Sequence, residues 1–227
     1  MSVYNGERFL KEAIDSIIAQ TFTDFEFIII NDGSTDRTGA ILKTYADPRL
    51  KIIERENRGL ISSLNEAINS AEGEYLARTD ADDTALPERL ARQAKFLDEH
   101  PPVGLVGSWA EAVDENGKIL KIYDFPPADN KHIRSYLLRH NAFIHPSVMF
   151  RRKLISQNPY RNFTHIEDYE LWTRLLQKCE GANIPEPLIK YRVLESSITR
   201  INRKKIIMRG FFVRALVFLR LFLHLPV

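Results

Sequence analysis

The chain has 227 residues, of which 44% are hydrophobic and 27% are charged. This composition is typical of a folded globular protein and excludes a disordered or fibrous chain. The length suffices for one large α/β domain or for two small ones. The net charge of +2 points to no particular partner, but its distribution is uneven. From Arg203 onward the chain has six basic residues and no acidic ones, which indicates a membrane surface or a partner protein at that end.

Cysteine usage and the start of the chain bear on the compartment. The single cysteine, Cys179, excludes an internal disulfide and favours a reducing environment. No histidine near Cys179 in the sequence could activate it, so we interpret it as a packing residue. The first residues do not form a basic and apolar signal segment, so we expect a cytoplasmic protein.

The first half of the chain alternates helical and strand patterns, which predicts a parallel sheet flanked by helices. Apolar residues at helical spacing, and polar residues suited to a helix N-terminus, predict four helices. Nearly continuous apolar runs predict buried strands between them. The predicted helices cover residues 7–20, 34–45, 60–70 and 87–98, and the predicted strands cover 25–30, 50–54 and 74–79.

The second half is less regular. Two strands over 103–113 and 118–123 are predicted to form a hairpin, because an Asn-Gly step lies in the segment between them. The remaining predicted elements are helices over 130–139 and 168–178, an extended segment over 145–150, and a strand over 188–193 that Pro185 and Pro187 separate from the preceding helix. We expect one domain over residues 1–200 with two lobes, 1–99 and 100–200, followed by a basic and apolar helix over 201–227.

Polar loops follow three of the predicted strands: Asn31-Asp32-Gly33, Asn57-Arg58-Gly59 and Asp80-Ala81-Asp82-Asp83. In open α/β sheets, ligands bind at the carboxyl ends of the strands. Asp80 and Asp82 are two residues apart and can point the same way in an extended loop. Paired carboxylates favour Mg²⁺ or Mn²⁺, which often share their coordination with substrate phosphates. Spacing alone leaves the alternative of a solvated acidic turn open.

Several segments, in this order, resemble the inverting glycosyltransferases of family 2, which have the GT-A fold. Each motif is short, but their order and spacing make the set specific, and the resemblance covers residues 2 to about 200. The segments are Val3-Tyr4-Asn5-Gly6-Glu7, the run from Phe22 to Asp36, Asn57-Arg58-Gly59, Leu64-Asn65, the run from Ala77 to Asp83, Leu86-Pro87-Glu88-Arg89, the run from His145 to Arg151, and the run from Glu167 to Trp172.

The resemblance implies a GT-A fold, a nucleotide-diphosphate sugar donor, Mg²⁺ or Mn²⁺, and inversion at the anomeric carbon. It also implies roles for seven residues. Val3, Tyr4 and Glu7 would line the base pocket, Asp32 would hydrogen-bond the base, Asp80 would face the ribose and the metal, Asp82 would ligate the metal, and Asp168 would be the general base. Such a base takes a proton from the acceptor hydroxyl on the face opposite the leaving nucleotide.

Three of the candidate residues keep an alternative interpretation. Asp168 could instead be an acid that stabilises the N-terminus of its helix. His145 is a candidate metal ligand or acceptor contact, although a lone histidine before a proline is more often structural. Arg58 could contact the donor phosphates or be a surface charge.

The sequence departs from the resembling family at two places. Only the end of the first strand is present, since Met1 falls near the point where that strand should stop; our hypothesis is a misplaced start. Leu194 stands where the family often has a histidine. These departures keep a second function open, a non-catalytic nucleotide-sugar-binding relative or an inactive truncated product.

The partners we expect are a nucleotide-diphosphate sugar and a glycan or lipid-linked acceptor, as in assembly of bacterial surface polysaccharides. Residues 203–225 are apolar but interrupted by arginines, which argues against a span and for a helix on the inner face of the membrane. The alternative is a terminal helix packed on the domain or on a second subunit. We expect no nucleic-acid binding, because the basic residues lie in an apolar tail.

Overall fold

The computed structural model describes residues 1–195 and 203–219. These residues form nine strands and eight α-helices. The strands are β1 (Ser2–Val3), β2 (Phe27–Asp32), β3 (Leu50–Arg55), β4 (Tyr75–Ala77), β5 (Thr84–Ala85), β6 (Val103–Val113), β7 (Ile119–Tyr123), β8 (Met149–Arg151) and β9 (Glu180–Arg192). The helices are α1 (Leu10–Ile18), α2 (Thr38–Leu42), α3 (Leu60–Ser70), α4 (Arg89–Glu99), α5 (Asn130–Leu137), α6 (Arg152–Ser156), α7 (Glu167–Leu175) and α8 (Arg203–Val217).

The strands form two sheets. The first has the order β1-β2-β3 with parallel pairing throughout, as predicted for the first half of the chain. The second has the order β4-β8-β6-β9-β5, with β7 paired to β6 as the predicted hairpin. Its pairing is mixed, because β8 is antiparallel to both of its neighbours while β6 and β9 are parallel. The α/β class and the C-terminal helix are confirmed, and parallel pairing dominates only in the first sheet.

The two sheets are separated by a groove between β2 and β4, which we call the β2–β4 groove. Strand β1 is short, as the sequence predicts, and pairs with β2 only at Ile30 and Asn31. On its other side Ser2 makes one parallel bridge to Asp80, beyond the end of β4. The buried amine of Met1 donates a hydrogen bond to the carbonyl oxygen of Ile28 at 2.9 Å. The sheet is therefore continuous at its carboxyl end and open below Met1.

The prediction that Pro185 and Pro187 precede a short strand over 188–193 is wrong. Strand β9 begins at Glu180 and runs through both prolines to Arg192. Proline lacks the amide hydrogen that a strand interior needs, so it is tolerated where the ladder is irregular. The register shifts on β6 around Trp109, which pairs with Pro187, supply that irregularity, and Pro185 is exposed.

The predicted helices form, several of them shortened. Helix α3 has the predicted bounds, whereas the predicted helix over 34–45 is only five residues long. The largest core cluster lies under α5, α7 and β8 and contains Trp172, which has no exposed surface. Cys179 also packs as predicted. Burial raises the pKa of its thiol to about 11, which makes the thiol a poor nucleophile.

Helix α8 packs on the domain through one face. Val213 and Val217 join the core cluster under α7, so the alternative of a helix packed on the domain holds for that face. The opposite face exposes Met208, Phe211 and Phe212. Among the residues that the structure describes, no helix is long and apolar enough to cross a bilayer. The rest of the predicted tail, residues 201–202 and 220–227, lies outside those residues.

Candidate active site

The loops after β2 and β3 are held together by the carboxylate of Asp32. Asp32 is almost fully buried and accepts hydrogen bonds from the backbone N–H groups of Arg58 and Gly59, each at 2.9 Å. It also forms an ion pair with Arg55. Gly33 has a φ of +75°, and a Cβ there would lie 2.5 Å from the backbone nitrogen of Asn57, so only glycine allows this approach. Asp32 therefore holds the loop after β2 and the loop after β3 together at this sheet edge.

These loops border a recess of about 640 Å³ at the carboxyl ends of β2 and β3. Its lining comes from the ends of both strands, from the loops after them and from α2, and most of its residues are polar or charged. The lining residues are Asn31, Gly33, Ser34, Asp36, Gly39, Glu54, Arg55, Glu56 and Asn57. The sequence predicted that the first two polar loops would meet at one edge, and they do.

The residues predicted for the base pocket lie around this edge with different exposures. Val3 is buried, whereas the side chain of Tyr4 is 54% exposed and free to contact a ligand. Glu7 accepts a hydrogen bond from the backbone N–H of Arg37 at 2.9 Å, which ties it to the start of α2. The side chain of Arg58 is exposed to solvent.

The third loop brings three carboxylates together. Oxygen atoms of Asp80, Asp82 and Asp83 all lie within 4.8 Å of one another. Burial, and then the charge of Asp80, raise the pKa of Asp82 to about 6. The same causes, with Asp82 added, raise the pKa of Asp83 well above its usual range. The mutual repulsion and burial of these groups are what a bound cation would relieve.

The donor set fits Mg²⁺ or Mn²⁺. Both ions prefer carboxylate oxygens, and one oxygen of Asp83, Oδ2, is buried without a hydrogen-bond partner. The other oxygen of Asp83 accepts the backbone N–H of Arg192 at 2.7 Å. Asp83 is therefore both a structural acceptor and a member of the cluster.

Arg192 clamps the acidic loop from β9. Its guanidinium donates to the carbonyl oxygen of Asp82 at 2.9 Å and to those of Asp114 and Glu115 at 3.1 Å each. It also forms an ion pair with Glu12 at 2.7 Å. These bonds join the acidic loop to α1 and to the turn between β6 and β7, so they hold the three carboxylates in place.

Asp168 lies in the first turn of α7. Its Oδ2 accepts a hydrogen bond from the side-chain amide of Asn141 at 2.6 Å, and its Oδ1 accepts one from the backbone N–H of Tyr169 at 2.7 Å. Burial, and then the neighbouring charge of Glu167, raise the pKa of Asp168 to about 7. A carboxylate with a pKa near neutrality suits a general base.

Arg78 is a buried cation that acts on both the acidic loop and Asp168 of α7, and its sequence pattern alone did not mark it as a site residue. It forms an ion pair with Asp80, and its charge favours the ionised forms of Asp82 and Asp168. The signal available in the sequence was its place at the end of the β4 pattern, two residues before Asp80. Buried at that point, a guanidinium offsets part of the negative charge of the site.

His145 does not join the carboxylate cluster. Its Nε2 lies 2.8 Å from the hydroxyl oxygen of Tyr160, and its ring packs edge-on to Trp172. Burial, and then the charge of Arg78, lower its pKa well below the usual range, so it is neutral. Within the residues that the structure describes, the metal-type cluster contains Asp80, Asp82 and Asp83 alone.

The fold and this site define an α/β protein with a carboxylate-lined ligand site at the carboxyl ends of its strands. Comparison with known proteins identifies its family. The sequence profile of glycosyl transferase family 2 matches residues 1–158, more than half of the chain. The chain therefore belongs to glycosyl transferase family 2 and is a glycosyl-transferring enzyme.

Named relatives agree with this assignment. An uncharacterized glycosyltransferase of Methanocaldococcus jannaschii is 36% identical over 91% of this chain and 74% of its own length. The O-antigen biosynthesis glycosyltransferase WbnJ of Escherichia coli is 34% identical over 87% of this chain and 79% of its own.

Solved structures confirm the fold. Residues 1–349 of TarS from S. aureus, in complex with UDP-GlcNAc, match with a TM-score of 0.77 at 22% identity. The match covers 96% of this chain and 65% of that one. The mannosyltransferase PcManGT of Pyrobaculum calidifontis, in complex with GDP-Man and Mn²⁺, matches with a TM-score of 0.70 at 22% identity, over 93% and 61%. The chain thus spans just under two thirds of these structures.

Proposed function

We propose that the enzyme transfers a sugar from a nucleotide-diphosphate donor to a glycan or lipid-linked acceptor, with inversion and with a divalent metal. One observation carries this proposal. The Asp80-Asp82-Asp83 cluster and the raised-pKa carboxyl of Asp168 share one buried guanidinium, that of Arg78, which pairs with Asp80 and whose charge favours the ionised form of Asp168. Two acidic groups in different environments match the two needs of such a transfer, a charged leaving group and a base.

The donor nucleotide would occupy the polar edge of the first sheet. Val3 borders that edge from the end of β1, Tyr4 and Glu7 border it from the segment after β1, and Asp32 shapes it from β2. Asp32 still has lone pairs for a base N–H, because a carboxylate can accept about four hydrogen bonds and Arg55, Arg58 and Gly59 supply three. Complexes of TarS with UDP-GlcNAc and of PcManGT with GDP-Man support a nucleotide-sugar donor.

Asp80 and Asp82 would hold the metal, and Asp83 would fix the loop through its hydrogen bond with the backbone N–H of Arg192. When bound, the metal supplies charge neutralisation for the diphosphate that departs. The role of the chain's own residues is to keep the carboxylates together against their repulsion. Arg192 does this through the backbone carbonyl of Asp82 and the side-chain carboxylate of Asp83, and Arg78 does it through its ion pair with Asp80.

Asp168 would take the proton from the acceptor hydroxyl. Its carboxylate is oriented by Asn141, and near-neutral pKa values let a carboxyl be ionised before the reaction and still accept a proton during it. The alternative, an acid that only stabilises the N-terminus of α7, predicts no effect of its ionisation on the rate of transfer. The two interpretations are therefore separated by kinetics.

The exposed face of α8 would place the enzyme on an anionic lipid surface that carries a lipid-linked acceptor. Met208, Phe211 and Phe212 project from the same helix as the exposed Lys205 and Arg209. Apolar side chains beside basic ones suit the interface of an anionic bilayer. Replacing Phe211 and Met208 with serine should abolish flotation with anionic liposomes, and serine at Leu120, which is also exposed but lies on β7, should not. Equal flotation of both variants would contradict membrane docking by α8.

The central experiment is a panel of nucleotide-diphosphate sugars tested for Mn²⁺-dependent thermal stabilisation and for slow donor hydrolysis. One donor should raise the melting temperature of the wild type and be hydrolysed. The Asp82→Asn variant should lose the Mn²⁺-dependent rise in melting temperature. The Asp124→Asn variant, in which an exposed acid outside the site is changed, should keep it. If no donor distinguishes wild type from Asp82→Asn, the metal–diphosphate site is wrong.

A further inference from the structure

Three aromatic rings form a cluster on the second sheet, where β6 lies between β7 and β9. The ring centroid of Tyr123, the last residue of β7, lies 5.6 Å from that of Phe125 and 5.8 Å from that of Tyr191 on β9. Both tyrosines are half-buried and pack against a small apolar group that contains Ile144. Phe125 is 46% exposed. The aromatic cluster, Tyr123, Phe125 and Tyr191, therefore presents one exposed ring on a packed support.

The aromatic cluster adjoins the acidic loop through β9. Tyr191 directly precedes Arg192, whose backbone N–H donates to Oδ1 of Asp83 at 2.7 Å. Burial, and then the charges of Asp83, Asp80 and Asp82, raise the pKa of Tyr191, so its hydroxyl lies within range of all three carboxylates. A ligand on the aromatic cluster would therefore lie beside a donor held at the acidic loop.

One side chain ties the aromatic cluster to the loop that orients Asp168. The buried amide of Asn183, on β9, donates to the carbonyl oxygen of Pro127 at 2.7 Å and to that of Ala142 at 3.0 Å. Pro127 belongs to the loop that follows β7 and carries the exposed ring, and Ala142 follows Asn141, the donor to Asp168. The exposed ring and the proposed base are thus held in one fixed frame, as the two ends of an acceptor site must be.

The chemistry of the aromatic cluster suits a sugar ring. A pyranose has an apolar face of C–H groups and a rim of hydroxyls, which match an aromatic ring with tyrosine hydroxyls around it. Among the residues that the structure describes, neither the Tyr123 nor the Tyr191 hydroxyl has a hydrogen-bond partner. Lys121 lies 4.9 Å over the ring of Tyr123, so Phe125 offers the free stacking face. An acyl chain could cover that face but would leave both hydroxyls unpaired.

We propose that the aromatic cluster is the subsite for a sugar ring of the acceptor, with Phe125 against its C–H face and the hydroxyls of Tyr123 and Tyr191 bonded to its own. This inference rests on the proposed transfer function and narrows its acceptor, because the group recognised is a glycan sugar and not a lipid. A hydroxyl oxygen of that sugar forms the bond to the anomeric carbon of the donor. The bond from that carbon to the diphosphate breaks, and Asp168 takes the hydroxyl proton.

The test uses methyl glycosides, which are single sugar rings without a lipid. The α and β methyl pyranosides of glucose, galactose, mannose and N-acetylglucosamine are added at millimolar concentration, and saturation-transfer NMR reports which ring protons contact the protein. The variant is Phe125→Ser. Its matched control is Ile122→Ser, which removes a side chain of similar exposure, 41%, from the face of β7 opposite to Tyr123. Turnover of the donor found in the nucleotide-sugar panel is measured with and without each glycoside.

At least one glycoside should bind the wild type through the protons of one ring face and should speed donor turnover. Phe125→Ser should weaken that binding about fivefold or more, and Tyr191→Phe, which keeps the ring, should weaken it too. Ile122→Ser should bind the glycoside and hydrolyse the donor as the wild type does. Equal binding by wild type and Phe125→Ser, or no glycoside bound at all, would overturn the proposal. Decanoate that binds in place of every glycoside, with the same dependence on Phe125, would overturn it too, since the cluster would then be an acyl site.

The two measurements keep this inference apart from the proposed function. Saturation transfer needs no turnover, so it decides whether a sugar binds the aromatic cluster even where no donor is consumed. Donor hydrolysis by the wild type without glycoside binding would refute the subsite and leave the transfer function standing. Glycoside binding that depends on Phe125, without turnover of any donor, would refute the transfer function and leave a sugar-binding site.

Discussion

The buried amine of Met1 makes stability depend on pH in a way that can be isolated. In the folded protein, burial and then the charge of Arg78 lower its pKa from 8.0 to about 5. The folded state therefore binds fewer protons at this amine than the unfolded state does between about pH 8 and pH 5. Stability from this group is complete above pH 8 and is lost as the pH falls through that window.

The size of the effect follows from the two pKa values. Between about pH 8.5 and about pH 6, this amine alone costs about 2.5 kcal/mol of unfolding free energy. For a chain of this length, that corresponds to roughly 5–10 °C in melting temperature. The raised pKa values of Asp82 and Asp168 act in the opposite direction, since they favour protonation of the folded state. A bare pH titration therefore mixes the two effects.

Acetylation of Met1 separates them. The acetylated nitrogen keeps an N–H for the carbonyl of Ile28, cannot be protonated, and has space for its acetyl group at the top of the β2–β4 groove. Urea unfolding of free and acetylated protein at both pH values measures the difference directly. We expect acetylation to stabilise by about 2.5 kcal/mol at about pH 6 and to change little at about pH 8.5. The same pH dependence in both forms would refute the burial of a neutral amine.

Three further predictions concern the site. Asn141→Leu should raise the apparent pKa of the transfer rate from about 7 by about one unit, because the hydrogen bond from the Asn141 amide to the ionised form of Asp168 is lost. Asp168→Asn should lower the transfer rate about 10²–10⁴-fold at unchanged donor affinity. A pH profile of the rate that neither substitution changes would leave Asp168 as an acid that only stabilises its helix. Mn²⁺ affinity measured by calorimetry should fall as the pH drops below about 6, where Asp82 takes a proton, and a constant affinity down to about pH 5 would exclude Asp82 as a ligand. Arg192→Lys should lower the free energy of unfolding by about 3 kcal/mol, because one ammonium group cannot reproduce the several hydrogen bonds of the guanidinium. The control, Arg37→Lys on the surface, should leave that free energy unchanged. Equal melting curves for the two variants would contradict the role of Arg192 in holding the acidic loop.

Local pattern was sufficient to predict most of the fold. The helix over Leu60–Ser70 and the hairpin of β6 and β7 were predicted from apolar spacing and from the Asn-Gly step. Strand β9 was not, because two prolines read locally as an interruption, and only its pairing with an irregular stretch of β6 makes them acceptable. Mixed pairing in the second sheet was also invisible, since it depends on contacts between distant segments.

The site, like the fold, has residues that the sequence predicted and residues that only the structure shows. Spacing and a place after a strand made Asp80 and Asp82 candidate ligands with an acidic turn as the alternative, and the resemblance to family 2 implied their roles; the structure brings Asp83 to them. Arg78 and Arg192 were missed as members of the site, because a buried cation is recognisable only from the acids that fold around it. His145 showed the converse. It was a candidate metal ligand or acceptor contact with a structural role as the alternative, and its Nε2 pairs with the hydroxyl of Tyr160.

The contacts of Arg192 with the turn between β6 and β7 depend on the backbone path of the turn and not on the side chains that accept no bond from Arg192. Its bonds there go to the carbonyl oxygens of Asp114 and Glu115, not to their side chains. Substitutions in the turn that preserve its backbone path should therefore leave the acidic loop undisturbed, whereas an insertion or deletion of one residue should displace it. A designer could thus vary the exposed side chains of Glu115 and Asn116, but should keep the length of the turn and Asp114, whose Oδ1 accepts the backbone N–H groups of Asn116 and Lys118 at 2.9 Å each.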